Sequence, residues 1–167
     1  MRFVVSALIW VALSMSLCAS NVVPDPFSPA RFTDLYIEKD EKGKVISMQL
    51  SGDVIVFKCI VDGKEIDNAT VHPSGDDWFQ FIQALNRAKV YKWSSNYTYP
   101  GQGITWTIDL AMDDRKQVSG GTNDFPKEGA EDQAQGDPNA GPSVPFQIMW
   151  QAAMTLAGKD KPPGAPK

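Results

Sequence analysis

Alternation of apolar and polar positions runs through much of residues 35–110. Ile104, Trp106, Ile108 and Leu110 alternate with Thr105, Thr107 and Asp109. This is the two-residue period of a strand with one packed and one solvated face. Residues 35–38 and 44–50 also read as strands, the second with Ile46, Met48 and Leu50 on one side, and a turn at 41–43 joins them. Gly52 and Asp53 interrupt the pattern. The run 54–61 is almost continuously apolar and predicts a strand buried on both faces. Asp62-Gly63 predicts a two-residue hairpin loop, because a type I′ turn needs positive φ at both central positions. Residues 64–71 then return antiparallel.

The period changes after His72-Pro73. Ser74 is the expected N-cap of a helix, and Asp76 and Asp77 sit in its first turn, where the helix dipole favours negative charge. Trp78, Phe81, Ile82 and Leu85 recur at i, i+3, i+4 and i+7 and form one apolar stripe. Residues 90–93 predict a short strand or extended return. Residues 97–103 turn the chain through Pro100, Gly101 and Gly103, and a turn at Asp113-Asp114 pairs 104–110 with 115–120. A second helix follows Ser143, with Pro145 in its first turn, where the missing N–H is harmless. Its core stripe is Phe146, Met149, Trp150, Ala153, Met154 and Ala157, and Gly158 is the expected left-handed stop. The order β-β-β-β-α-(β)-β-β-α predicts one α+β domain over residues 32–158. Its architecture is an antiparallel β-sheet built from hairpins, with two amphipathic helices packed on one face.

The ends add the compartment. Arg2 precedes an apolar run over residues 3–17, and the small residues Ser16, Cys18, Ala19 and Ser20 follow. Charge, apolar run and small residues together predict a signal peptide over residues 1–20, too short to span a bilayer comfortably. The expected location is periplasmic or secreted. A lipoprotein anchored through Cys18 is the alternative, although Leu17 stands where a small residue is wanted. Residues 21–31, with Pro24, Pro26 and Pro29, read as a linker. Residues 129–142 carry acids and no aliphatic side chain larger than Ala, and predict a flexible acidic insertion. Residues 159–167 read as a disordered tail.

Composition narrows the partner. The net charge of −4 becomes −5 once Arg2 leaves with the leader. A mildly acidic chain without a Lys/Arg cluster has no footprint for nucleic acid or anionic lipid. After leader cleavage no segment predicts stable membrane insertion. Loss of Cys18 leaves Cys59 without an intrachain partner, so the domain relies on its core. Cys59 sits in a strand-like run and reads as a small buried hydrophobe, with a reactive thiol as the alternative.

Candidate chemistry is sparse. His72 and Cys59 alone cannot build a zinc site, and His72 is the only available base for a nucleophile triad. Asp76 and Asp77 are accounted for by the helix start, and Asp62, Asp113 and Asp114 by turns. Asp109 is the exception, on the polar face of the Trp106 strand. Residues 120–124 contain oxygen donors for a cation, but Gly and Asn there also suit a tight corner. Tyr91, Trp93, Tyr97 and Tyr99 share one parity, as an aromatic strip on an extended strand requires. Such a strip can stack sugars or grip a peptide. The candidate binding residues are therefore Tyr91, Tyr97, Tyr99, Asn123 and Asp124, with no catalytic or metal residue. Two glycosylation sequons, at Asn68 and Asn96, are expected to carry no glycan, since the leader looks bacterial.

Residues 73–158 resemble a domain of an uncharacterised family of small bacterial exported proteins. The likeness rests on Trp78, a V-x-x-W segment at Val90 and Trp93, Tyr97, a strand bearing Trp106, an S-G-x-N-x-x-P corner, and a final helix starting near Phe146. The corner is matched by Ser119, Gly120, Asn123 and Pro126, with one extra residue. Gln102-Gly103 stands where the pattern has Asp-Gly, and residues 129–142 separate corner from helix. The resemblance implies the fold and the exported setting, and no activity. Size, acidity and export predict a non-catalytic, cofactor-free accessory protein that binds a protein partner in the cell envelope, of inhibitor or immunity type. A carbohydrate- or peptidoglycan-binding module using the tyrosines is the alternative reading, and a hydrolase using Asp109 with Asp113 or Asp114 is a weaker one.

Overall fold

A computed structural model describes residues 31–101, 103–127 and 141–159. The leader, most of the linker, residues 129–140 of the acidic insertion and the tail beyond Lys159 lie outside the described residues. Four strands open the domain: β1 (Phe32–Glu41), β2 (Lys44–Ser51), β3 (Val54–Val61) and β4 (Lys64–Val71). Helix α1 (Gly75–Arg87) follows, then a 3₁₀ turn at Val90–Lys92 and the short strand β5 (Asn96–Thr98). Strands β6 (Ile104–Met112) and β7 (Arg115–Thr122) precede helix α2 (Val144–Leu156). The strands form one seven-stranded sheet in the order β4-β3-β2-β1-β6-β7-β5. The class is α+β.

The hairpin signals hold. Asp62 and Gly63 have φ of 48° and 76°, and Lys42 and Gly43 have 54° and 81°, the positive pair that type I′ turns need. Ser74 caps α1 in a reciprocal box. The Asp77 N–H donates to Ser74 Oγ over 3.2 Å, and the Ser74 N–H donates to Asp77 Oδ2 over 2.9 Å, which satisfies two otherwise orphaned donors. Gly158 has φ of 70° at the end of α2.

Several expectations need correction. The sheet is mixed, because β5 pairs parallel with β7 through Asn96–Gly120, Tyr97–Gly121 and Thr98–Thr122. Residues 90–93 are not extended. Lys89 takes φ of 52° and starts the 3₁₀ turn, and the Trp93 indole then reaches back to donate to the Ala88 carbonyl over 2.9 Å. Strand β3 is not buried on both faces: Ile55, Phe57 and Cys59 are buried, while Val54, Val56 and Ile60 are half-buried and Lys58 is exposed. Strand β1 is longer than 35–38, because pairing to both β2 and β6 carries it out to Phe32 and Glu41. The residues flanking the expected span, Arg31 and Lys159, make contacts with it. Arg31 pairs with Asp113, and the Lys159 ammonium lies 2.6 Å from Asp67 and 4.5 Å from the centre of the Phe57 ring.

The core gathers residues of the sheet and of both helices. Trp106, Ile108, Leu110 and Met112 of β6 are buried, beside Leu35 and Ile37 of β1 and Met48 of β2. Trp78, Phe81, Ile82 and Leu85 of α1 join them, with Phe146, Met149, Ala153 and Leu156 of α2. Phe146 at the start of α2 lies 6.5 Å from Trp93, beyond the end of α1. Gly158 past the end of α2 lies against Val71, just ahead of α1. The helices, which touch each other, therefore run antiparallel.

Candidate functional site

The corner residues are joined to the scaffold. Asn123 takes φ of 54°, its N–H donates to the Ile104 carbonyl over 2.9 Å, and its Nδ2 donates to the Gly101 carbonyl over 3.0 Å. Asp124 is 3% exposed. Its Oδ1 accepts the Phe125 N–H at 2.9 Å, its carbonyl accepts the Trp106 indole N–H at 2.8 Å, and its Oδ2 is buried without a hydrogen-bond partner among the described residues. The Ser143 hydroxyl, which caps α2, donates to the Pro126 carbonyl. Corner and helix are thus tied together although sixteen residues of chain, 127–142, intervene.

The three tyrosines do not form a strip. Tyr97 is half-buried, 5.8 Å from the Trp106 ring, and its hydroxyl accepts the Ser94 N–H at 2.8 Å. The Tyr99 N–H donates to the Thr122 carbonyl over 2.8 Å. Tyr91 instead lies at the other end of β7, its ring 4.4 Å from the Arg115 guanidinium. Arg115 and Gly121, the partner of Tyr97, are six residues apart, about 20 Å along a strand. The Tyr91 hydroxyl is buried without a hydrogen-bond partner among the described residues, and burial raises its pKa against the lowering effect of the Arg115 charge.

The carboxylates are also dispersed. Asp113 accepts the Arg31 Nε–H at 3.0 Å and a second bond from the same guanidinium. That hydrogen bond is the main cause holding Asp113 below its ordinary carboxylate value. Asp109 lies 3.6 Å from Lys116 on the strand face opposite Trp106. His72 stands 3.6 Å from Asp53, both exposed, and Cys59 is buried. Among the described residues no group of three or more His, Cys, Asp or Glu side chains could hold a metal ion, and no helix is long and apolar enough to cross a membrane.

A different surface stands out. A groove of about 540 Å³ is lined by residues of both helices, among them Gln80 of α1 and Gln147, Ile148, Gln151 and Ala152 of α2. Asp77 and Arg87 of α1 also belong to its lining. Val144, 62% exposed, lines it as well. These residues escape a reading limited to the core stripe of α2. Their signal is a second apolar series at Val144, Ile148 and Ala152, spaced i, i+4 and i+8. A helix apolar on more than one side needs more than one apolar neighbour. Comparison with known proteins finds no matching family model and no matching curated protein.

Proposed function

We propose that this chain is an exported, non-catalytic binding domain whose helix groove receives a segment of a protein partner in the cell envelope. The observation that carries this reading is the second apolar stripe of α2, Val144, Ile148 and Ala152, which lines the groove and is left exposed or only half-buried. In this reading both helices cover one face of the sheet: Phe146 lies 5.1 Å from Trp106, the Lys39 ammonium 5.5 Å from Trp150, and Trp78 5.2 Å from Phe32. The groove then lies on the side of the helices away from the strands. An apolar side chain of the partner packs on Val144, Ile148 and Ala152. The glutamine amides supply donors and acceptors for its backbone, and Asp77 and Arg87 select its direction by charge. Export rests on the leader-like first 20 residues, and an inhibitor or immunity role fits a small acidic envelope protein.

The test is capture from envelope extract by three immobilised proteins: wild type, Val144→Glu with Ile148→Glu, and Ile66→Glu. Ile66 is 61% exposed on β4, away from the groove-lining residues. A partner retained by wild type and the β4 variant but lost from the groove variant supports the reading. Equal recovery of every protein by all three overturns it.

A further inference from the structure

Folding joins four cations from two separate stretches of a chain whose net charge is −4. Arg87 ends α1, Lys89 precedes the 3₁₀ turn and Lys92 closes it, and all three are exposed. The Lys92 N–H donates to the Lys89 carbonyl over 2.9 Å, which brings both lysines onto one turn. That turn lies beside the start of β7, because Gln117 Nε2 donates to the Trp93 carbonyl over 3.0 Å. There the exposed Arg115 supplies the fourth cation, its guanidinium 4.4 Å from the centre of the Tyr91 ring, where a cation–π contact orients it. Among the described residues Arg87, Lys89, Lys92 and Arg115 form no ion pair.

Most acids at this end of the sheet are paired or face away. Asp113 is paired with Arg31, and Asp109 with Lys116. Directly paired residues of neighbouring strands point to the same side of a sheet. Arg115 pairs with the buried Met112 and so lies on the core side. Asp34 and Lys116 both pair with Ala111, and with Asp109 they point to the opposite side. Asp114, in the turn before Arg115, remains beside the cations. Lys89 has φ of 52° just past the end of α1, a left-handed position where glycine is the unstrained choice. A lysine there keeps a charge that glycine would remove.

We propose that Arg87, Lys89, Lys92 and Arg115 form a recognition surface for an acidic segment of a protein, separate from the apolar stripe of α2. A guanidinium held on an aromatic ring presents its fork to a carboxylate. Four cations interrupted by Asp114 suit carboxylates spaced along a peptide. A continuous row of phosphates, or an anionic membrane plane, would press like charge against Asp114. Contacts of this kind set orientation and association rate more than strength.

Fluorescence anisotropy of a fluorescein-labelled decaglutamate peptide, titrated with the full chain as its host cell processes it at about 0.15 M salt, tests this. One triple variant, Lys89→Gly with Lys92→Gln and Arg115→Gln, removes three charges from the patch. A second, Lys42→Gly with Lys44→Gln and Lys64→Gln, removes three exposed charges from the hairpin turns at the other end of the strands. The two ends are about 27 Å apart along β6, more than three screening lengths of about 8 Å. Lys42 has φ of 54°, so glycine relaxes the backbone there as it does at Lys89. Wild type should bind the peptide below millimolar concentration. The patch variant should bind at least tenfold more weakly, and the hairpin variant within about twofold of wild type, since its charges are screened from the patch. Lys89→Gly alone should weaken binding and yet melt no lower than wild type, which separates recognition from folding. Arg87 is left unchanged because it also lines the groove. Loss of peptide here and loss of a partner from the Val144→Glu, Ile148→Glu variant therefore report on different surfaces. The proposal is overturned by no binding at millimolar peptide or by equal weakening in the two triple variants. Tighter binding to an oligodeoxynucleotide of equal charge, or to phosphatidylglycerol vesicles, also overturns it.

Discussion

The Trp106 indole donates its N–H to the backbone carbonyl of Asp124 over 2.8 Å, across eighteen residues of sequence. Trp106 lies on β6 and Asp124 just past β7, so one buried hydrogen bond pins the corner to the centre of the sheet. The same indole lies 5.9 Å from Trp93, 5.1 Å from Phe146 and 6.2 Å from Phe125. Trp93 and Tyr97, which the sequence offers as part of an aromatic strip, belong instead to the packing around Trp106.

This packing depends on Gly121. A β-carbon there would lie 2.5 Å from the Tyr97 carbonyl oxygen, 2.8 Å from the Asp124 carbonyl oxygen and 2.7 Å from Trp106 Nε1. Two of these neighbours are backbone atoms within the packed corner and yield little. Gly121→Ala should therefore lower stability by about 1–3 kcal/mol, the usual effect of overpacking. Gly75→Ala is the control, since its β-carbon meets nothing within 4 Å. Thermal unfolding followed by tryptophan fluorescence checks both. Equal melting of the two variants would show that strand β5 moves aside at little cost.

Two buried tryptophans make opposite predictions for one substitution. Trp78 is fully buried, and among the described residues its indole N–H has no acceptor. Trp106 is 2% exposed and has one. Replacement by Phe removes similar volume at both sites. At Trp78 it also removes an unsatisfied donor, whereas at Trp106 it strands the Asp124 carbonyl. Trp106→Phe should therefore destabilise more than Trp78→Phe, by about 1–3 kcal/mol. Urea denaturation of the two variants measures the difference. If Trp78→Phe proves as costly, the Trp78 N–H has a bound water for a partner.

Local chemistry made part of this structure readable. Asp62-Gly63 announces its hairpin because few residue pairs tolerate two positive φ values, and Ser74 with Asp77 announces a helix start by satisfying two orphaned donors. The parallel edge was not readable. Strand β5 has three residues and no alternation, and its place depends on Gly120 and Tyr99 bonding to Ser95 and Thr122 across the chain. The 3₁₀ turn was hidden because the packing that buries its flanking Trp93, against Trp106 and Phe146, is tertiary. The groove was half legible. Val144, Ile148 and Ala152 are visible as a series, but only packing shows that Phe146 and Met149 face the core instead. Tyr97 and Tyr91 share a parity that would align them on a strand, and the turn between them breaks that alignment.

The last prediction concerns acid. Asp113 has an ordinary carboxylate value of 3.8, lowered in the folded protein chiefly by the hydrogen bond from Arg31, with the charges of Arg31 and Arg115 adding to it against desolvation. A group whose folded value is depressed stabilises the fold above its unfolded value. That contribution disappears as the pH falls through the lower, folded value. The pair is partly solvent-exposed, so its worth at neutral pH is under about 1 kcal/mol. Asp113→Asn is a clean probe, because Asn also tolerates the φ of 54° found there. Melting curves of wild type and Asp113→Asn should differ most at neutral pH, with wild type the more stable. The two should converge as the pH drops below about 4, once the carboxylate protonates and the Arg31 contact loses its charge. A gap that stays constant to pH 3 would mean that Asp113 serves the turn alone and that the contact with Arg31 contributes nothing to folding.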